Sequence, residues 1–261
     1  MTEYKTADAF WQAYLAGKDR TLLRNRRRYR LLPSSARCKF CYRPLGGLGG
    51  FLMRMSGKRP STLNPHLCNG CEIAAAERPG GAELEISMLF ADVRGSTTLA
   101  EQMDTASFSK LIRRFYSTAV DVLVDSNALI DKLVGDQVTG YYLPAFVGEN
   151  HESVAIEAAH TLLRRTGVGD RAGPWIPIGV GVHTGIAYIG AASSKSGISD
   201  ITALGDNVNI AARLASNAGP GELLVSEVTF LAAGLAQANV EQREIELKGR
   251  TAPVQVRVLH G

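Results

Sequence analysis

The chain has 261 residues, 45% hydrophobic and 21% charged, the balance of a globular protein and not of a disordered one. No run reaches the ~18 apolar residues that a membrane-crossing helix needs, which excludes a spanning helix. The start of the chain lacks an apolar signal-like region, so a cytoplasmic location is expected. The net charge of +4 is unevenly spread: residues 1–80 hold 15 Lys and Arg against 5 Asp and Glu, and residues 81–261 hold 14 against 20. All four cysteines lie in the first part. Together these shifts predict a small basic domain over 1–80 and a larger one over 81–261, with the boundary near residues 78–82.

In the first domain Thr6 is placed to cap a helix whose face is Phe10, Trp11, Tyr14 and Leu15. Arg24, Arg26, Arg27, Arg28 and Arg30 follow within seven positions. Such a run suits phosphates, nucleic acid or an acidic membrane surface, or is simply a solvated helix face; the solvated face is the simpler reading.

Cys38 and Cys41 form one CxxC knuckle and Cys68 and Cys71 a second, with 26 residues between the two. Each knuckle puts two thiolates on one tight turn, and the two together make a tetrahedral set suited to Zn²⁺. An iron–sulfur cluster uses the same ligands. Residues 46–50, Gly-Gly-Leu-Gly-Gly, read as a loop too glycine-rich to build a core, so a metal cross-link is expected to hold this domain together. His66 precedes Cys68, but four sulfurs already complete a coordination shell.

The second domain opens with a buried strand around Met88, Leu89 and Phe90, which ends at Asp92. Gly95 then turns the chain tightly into Ser96 and Thr97, so that successive N–H groups can face an anion before a helix begins. A carboxylate beside an anion nest suggests metal plus phosphate; an Asp that only caps the helix is the alternative. Residues 104–126 form an amphipathic helix with Phe108, Leu111, Ile112, Phe115, Ala119, Val122 and Leu123 at three- and four-residue spacing. Two strand-like runs then flank a Gly135-Asp136 turn, a hairpin signal that sets a second acid at its tip. A helix over 151–166 follows. A strand over 176–182 is expected to turn at His183, Thr184 and Gly185 and to return over 186–190. Asn209 and Arg213, four apart on a helix, project from one face. The chain closes with a strand at 223–226, a short helix, and strands around Ile245 and Val254.

Four segments in this order, FADVRGST (90–97), DKLVGDQV (131–138), GVHTGIAYIG (181–190) and DITALGDNVNIAARL (200–214), resemble the catalytic domain of class III adenylate/guanylate cyclases. The resemblance runs from about Glu83 to Leu259 and leaves the cysteine domain outside. It implies an α+β fold, a ferredoxin-like βαββαβ antiparallel sheet flanked by helices, paired head to tail in a homodimer with shared active sites. It further implies that Asp92 and Asp136, with the Val93 carbonyl, hold two Mg²⁺ or Mn²⁺ ions. Arg94, Gly95, Ser96 and Thr97, with Lys248, would receive the phosphates. Asn209 would position the ribose and Arg213 would neutralise charge on the α-phosphate.

By the same resemblance, Lys132 and Thr202 would occupy the positions that select the base in that family. Lysine can donate to adenine N1 and a threonine hydroxyl can accept from its amine, whereas guanine reverses both polarities. The expected activity is therefore conversion of ATP to 3′,5′-cyclic AMP and pyrophosphate. The alternatives are a nucleotide-binding signalling domain without turnover, and a nucleic-acid-binding zinc domain switched by a cyclase-like module.

Overall fold

The computed structural model describes residues 6–62, 64–77, 80–193, 199–235, 239–246 and 252–260. The chain divides into two compact units. The first comprises residues 1–84, 144–146 and 187–204, and the second residues 85–143, 147–186 and 205–261.

The first unit contains helices α1 (Ala7–Leu15), α2 (Arg20–Tyr29), α3 (Gly47–Met55) and α4 (Asn69–Ala76). Thr6 caps α1 through its side chain, and Phe10, Trp11, Tyr14 and Leu15 are buried, as their spacing requires. Asp19 caps α2 by accepting the Leu22 N–H at 2.8 Å. The glycine-rich run read as a loop is instead the first half of α3; its glycines let the helix backbone lie directly against the 33–45 segment. The unit also holds the first residues of β1 (Gly80–Val93), the far half of β4 (Ile178–Ser193), and β5 (Ser199–Leu204), which pairs antiparallel with β4.

The second unit carries the rest of β1 and β4. It adds β2 (Leu129–Val134), β3 (Gln137–Tyr142), β6 (Glu222–Ser226), β7 (Glu241–Ile245) and β8 (Val254–His260). Its helices are α5 (Ser96–Gln102), α6 (Thr105–Asp125), α8 (His151–Arg165), α9 (Asp206–Asn217) and α10 (Glu227–Ala232), while the short α7 (Pro144–Val147) straddles the division. The sheet order is β2-β3-β1-β4-β6-β8-β7. Its first four strands are the βαββαβ arrangement, and the parallel β4–β6 pair makes the extended sheet mixed.

Strand alternation assigns the two faces. Leu89, Ala91 and Val93 of β1, Ile178, Val180 and Val182 of β4, and Leu223 and Val225 of β6 join α6 and α8 in one core. Leu224 of β6 faces the other way and packs with Ile210 and Leu214 of α9. A Cβ at Gly181 would lie 2.3 Å from the Ala215 nitrogen, so only glycine lets α9 press onto β4 there. Asp92 follows the same alternation to the α9 face.

The expected turn at His183-Thr184-Gly185 does not occur. Strand β4 runs through it, and the reversal comes only before β5. Gly185 serves close approach instead of a turn, since a Cβ there would meet the Asn207 amide at 2.5 Å.

Candidate active site

The two acids meet because of how the first strands end. β1 pairs antiparallel with β3 and places Asp92 opposite Gln137, the residue after Asp136. The β2–β3 reversal is the Gly135-Asp136 turn, with Gly135 at φ +65. Two hydrogen bonds fix it: the Val93 N–H donates to the Asp136 carbonyl at 3.1 Å, and the Tyr116 hydroxyl donates to the Gly135 carbonyl at 2.7 Å. Tyr116 lies on α6, and helical periodicity alone gives no sign of this contact.

Electrostatics link the pair. Burial raises the Asp92 carboxyl above its ordinary range, Arg94 pulls it back, and the neighbouring Asp136 charge raises it again. Arg94 donates to the Asp92 carboxylate through one nitrogen, and through another to the Ser216 carbonyl of α9 at 2.7 Å. Two oxygen donors pressed together against their mutual repulsion, in an oxygen-only set, fit a divalent cation such as Mg²⁺ or Mn²⁺.

Beyond Arg94, Gly95 adopts the left-handed conformation (φ 67, ψ 26) and starts α5 at Ser96. The first N–H groups of any helix have no intrahelical acceptor, and here they belong to Ser96, Thr97 and Thr98.

Helix α9 anchors through Ile210 and Leu214 and leaves Asn209 exposed and Arg213 half-buried on its other side. Its first turn is held by a hydrogen-bond chain that runs through buried His183 to Ser226 of β6. His183 Nε2 meets Asn207 Oδ1 at 3.0 Å, and His183 Nδ1 meets the Ser226 hydroxyl at 2.7 Å. The Asn207 amide also donates to the Ile186 carbonyl at 2.8 Å. His183 is thus a buried structural residue within β4, and Asn207 is the partner that the sequence did not reveal.

Lys132 falls in the irregular stretch of β2, where register shifts between Ile130 and Leu133. Thr202 is buried on β5, opposite Gly190 of β4, and belongs to the first unit. Lys248 lies outside the described residues.

In the first unit Cys38, Cys41, Cys68 and Cys71 are all buried, and their sulfurs lie within 4.8 Å of one another. Cys68 stands just before α4 and Cys71 in its first turn. The Cys68 N–H donates to the Cys38 sulfur at 3.3 Å, and Arg43 donates to the Cys68 sulfur at 3.1 Å. Hydrogen bonds from the other three thiols, and Arg43 beside it, hold the Cys68 thiol well below its ordinary range. Four buried, converging sulfurs fit a thiophilic metal. His66 is not among the clustered donors.

Comparison with known proteins identifies the family and the fold. The family model for the adenylate and guanylate cyclase catalytic domain matches residues 82–260. An uncharacterised Mycobacterium tuberculosis protein, Rv1319c, is 32% identical over 171 residues, 63% of this chain and 31% of its own length. Another, Rv1318c, is 30% identical over 200 residues, 70% of this chain and 35% of its own. The chain thus aligns with about a third of the length of these relatives.

Among solved structures, the guanylyl cyclase Cya2 superposes with TM-score 0.60 at 24% identity, covering 69% of this chain and 93% of its own. The adenylyl cyclase CyaB from P. aeruginosa does so with TM-score 0.60 at 24% identity, covering 69% and 95%. One of the two is a guanylyl and the other an adenylyl cyclase, so the likeness establishes the fold and not the nucleotide. With its sheet, its ordered motifs and the matched span, the chain belongs to the adenylate/guanylate cyclase catalytic domain family and carries a CxxC…CxxC segment ahead of it.

Proposed function

We propose that this nucleotide cyclase is an adenylate cyclase, forming 3′,5′-cyclic AMP and pyrophosphate in a cytoplasmic homodimer whose sites are shared between subunits. The observation that carries the reading is the meeting of Asp92 and Asp136 at one end of the sheet, directly before the Gly95 turn. Two carboxylates beside the unpaired N–H groups of a turn suit a metal-bound triphosphate.

Asp92 and Asp136, with the Val93 carbonyl, would hold two Mg²⁺ or Mn²⁺ ions. Such ions acidify a ribose hydroxyl and offset charge on departing phosphates. Residues Arg94, Gly95, Ser96 and Thr97 would receive the β- and γ-phosphates, assisted by Lys248. Asn209 of the twin subunit would fix the ribose so that its 3′-oxygen lies in line with the α-phosphorus. The 3′-oxygen forms the new bond as the bond to pyrophosphate breaks, and its proton leaves to solvent. Arg213 would stabilise charge building on the α-phosphate, which a rigid guanidinium does well.

Lys132 and Thr202 supply the donor and acceptor that adenine needs, and guanine would leave both mismatched. The four cysteines would hold one structural Zn²⁺, making residues 1–80 an accessory domain to the catalytic one.

Purified protein incubated with ATP or GTP and Mn²⁺ tests the reading. It requires cyclic AMP from ATP in preference to cyclic GMP from GTP, and no product from a folded Asp92→Ala variant. Product formed equally by wild type and Asp92→Ala would refute the metal assignment.

A further inference from the structure

Helix α3 is built inside out. In an ordinary surface helix the bulky apolar side chains face the core and the small or polar ones face water. In α3, Gly49 and Gly50 are buried, and a Cβ at either would lie 2.3 Å from the Pro33 carbonyl oxygen or 2.6 Å from the Leu45 carbonyl carbon. The bulky residues point out. Leu48 is 75% exposed, Phe51 62%, Leu52 53% and Met55 75%. Their spacing of three, four and seven residues stacks them on one face. Glycine is a poor helix former, so a core-seeking sequence gains nothing by this exchange. The arrangement makes sense if the large apolar side is meant for another medium.

The surrounding charge narrows that medium. From Arg20 to Cys71 the chain has 12 Lys and Arg and no Asp or Glu. Arg54, Lys58 and Arg59 sit on or just after α3, all exposed, and Arg20, Arg24, Arg27, Arg28 and Arg30 line the exposed side of α2. Leu31, 87% exposed, follows the C-cap of that helix, and the nearby Pro33 carbonyl accepts the Gly49 N–H at 3.1 Å. The cationic helix therefore leads into the segment that underlies α3. With nine residues α3 is too short to cross a bilayer, so its own contact with one is peripheral.

We propose that the outer face of α3, with the arginines of α2 around it, docks this protein onto the surface of a membrane rich in anionic lipid. Leu48, Phe51, Leu52 and Met55 enter the boundary between headgroups and acyl chains, and the exposed arginines and lysines of this acid-free stretch of chain pair with lipid phosphates. A nucleic acid would satisfy the charge and leave the four apolar side chains in water. A second copy would satisfy the apolar face and bring two strongly cationic surfaces together.

The test uses the full chain and sedimentation with two kinds of vesicle, phosphatidylcholine alone and an equimolar mixture with phosphatidylglycerol. Binding to the anionic vesicles only, reduced by added salt, is expected. The variant Leu48→Ser/Phe51→Ser/Leu52→Ser/Met55→Ser should bind them at least ~10-fold more weakly, as should Arg27→Glu/Arg28→Glu/Arg30→Glu. Phe51→Trp keeps the apolar face, and its emission should shift to the blue on anionic vesicles alone. Several results would overturn the proposal: no sedimentation of wild type, equal binding to both vesicles, or unchanged binding by the serine variant. Two others would reassign the face: dissociation of a lipid-free oligomer by the serine substitutions points to a second copy, and loss of binding to a DNA duplex points to nucleic acid.

Discussion

Arg94 folds back onto Asp92, two residues earlier in the chain, and reaches with its other nitrogen to the Ser216 carbonyl of α9. One guanidinium thus links the end of β1 to the C-terminal turn of the helix that bears Asn209 and Arg213. A cation held by Asp92 competes with Arg94 for the same oxygens. Arg94→Ala should therefore tighten Mn²⁺ binding in the absence of nucleotide, by roughly tenfold, while weakening ATP through loss of a phosphate partner. Calorimetric titration with Mn²⁺, and then with a non-hydrolysable ATP analogue, separates the two effects. Equal affinity for Mn²⁺ in both proteins would mean that the pair does not screen Asp92.

Base choice should reside in few atoms. Replacing the donor Lys132 by an acceptor matches the polarity of guanine N1 and its amine and opposes adenine. The Lys132→Glu variant is expected to lower the ATP-to-GTP ratio of kcat/KM by about 100-fold, the scale of a buried polar mismatch. An unaltered ratio would place the base elsewhere.

The sheet edge offers a pH-dependent contribution away from the site. Arg243 of β7 grips Glu222 of β6 with two bonds, of 3.1 and 3.2 Å, across the intervening β8. The Arg243 hydrogen bonds, with the Gly219 N–H, hold the Glu222 carboxyl below its ordinary range. A depressed carboxylate stabilises the fold above its unfolded value and loses that contribution as pH falls through its folded value. Arg243→Gln should lower stability by about 1 kcal/mol or less at neutral pH, given the partial exposure of the pair. The difference should disappear in acid below the carboxylate range. Thermal melts of both proteins across pH check the sign. A gap that widens in acid would contradict it.

The cysteine cluster should be a metal site on which the first unit depends. One equivalent of zinc per chain is expected, released by a thiol-reactive mercurial and detected with a colorimetric chelator. Cys68→Ser should lose the metal and melt the first unit at lower temperature, because a structural site contributes folding free energy directly. A broad visible absorption band with bound iron would point to a cluster instead.

Much of the fold was legible because periodicity is a strong signal wherever one face is buried. Helix α6 spans Thr105–Asp125 against an expected 104–126, and the β2–β3 reversal falls at Gly135-Asp136. The strand end at Asp92 and the hairpin turn at Asp136 were legible in the residues, whereas the pairing of the two acids came from the resemblance. Glycine misled twice, because its need for space resembles its need for a turn. Gly185 makes room for Asn207 inside an unbroken strand, and Gly49 and Gly50 let α3 rest on the chain beneath it. The Arg94–Ser216 bond, the Tyr116 prop and the His183–Asn207 link join residues by tertiary contacts that spacing does not encode.

The central claim is that the acids of one subunit work with Asn209 and Arg213 of the other. Mixing two inactive variants, Asp92→Ala and Arg213→Ala, under conditions that exchange subunits tests it most directly. A twofold dimer made from one copy of each has one intact site, so an equal mixture should recover roughly a quarter of wild-type cyclic AMP formation. A mixture that stays inactive, although mass measurement shows the mixed dimer has formed, would contradict it.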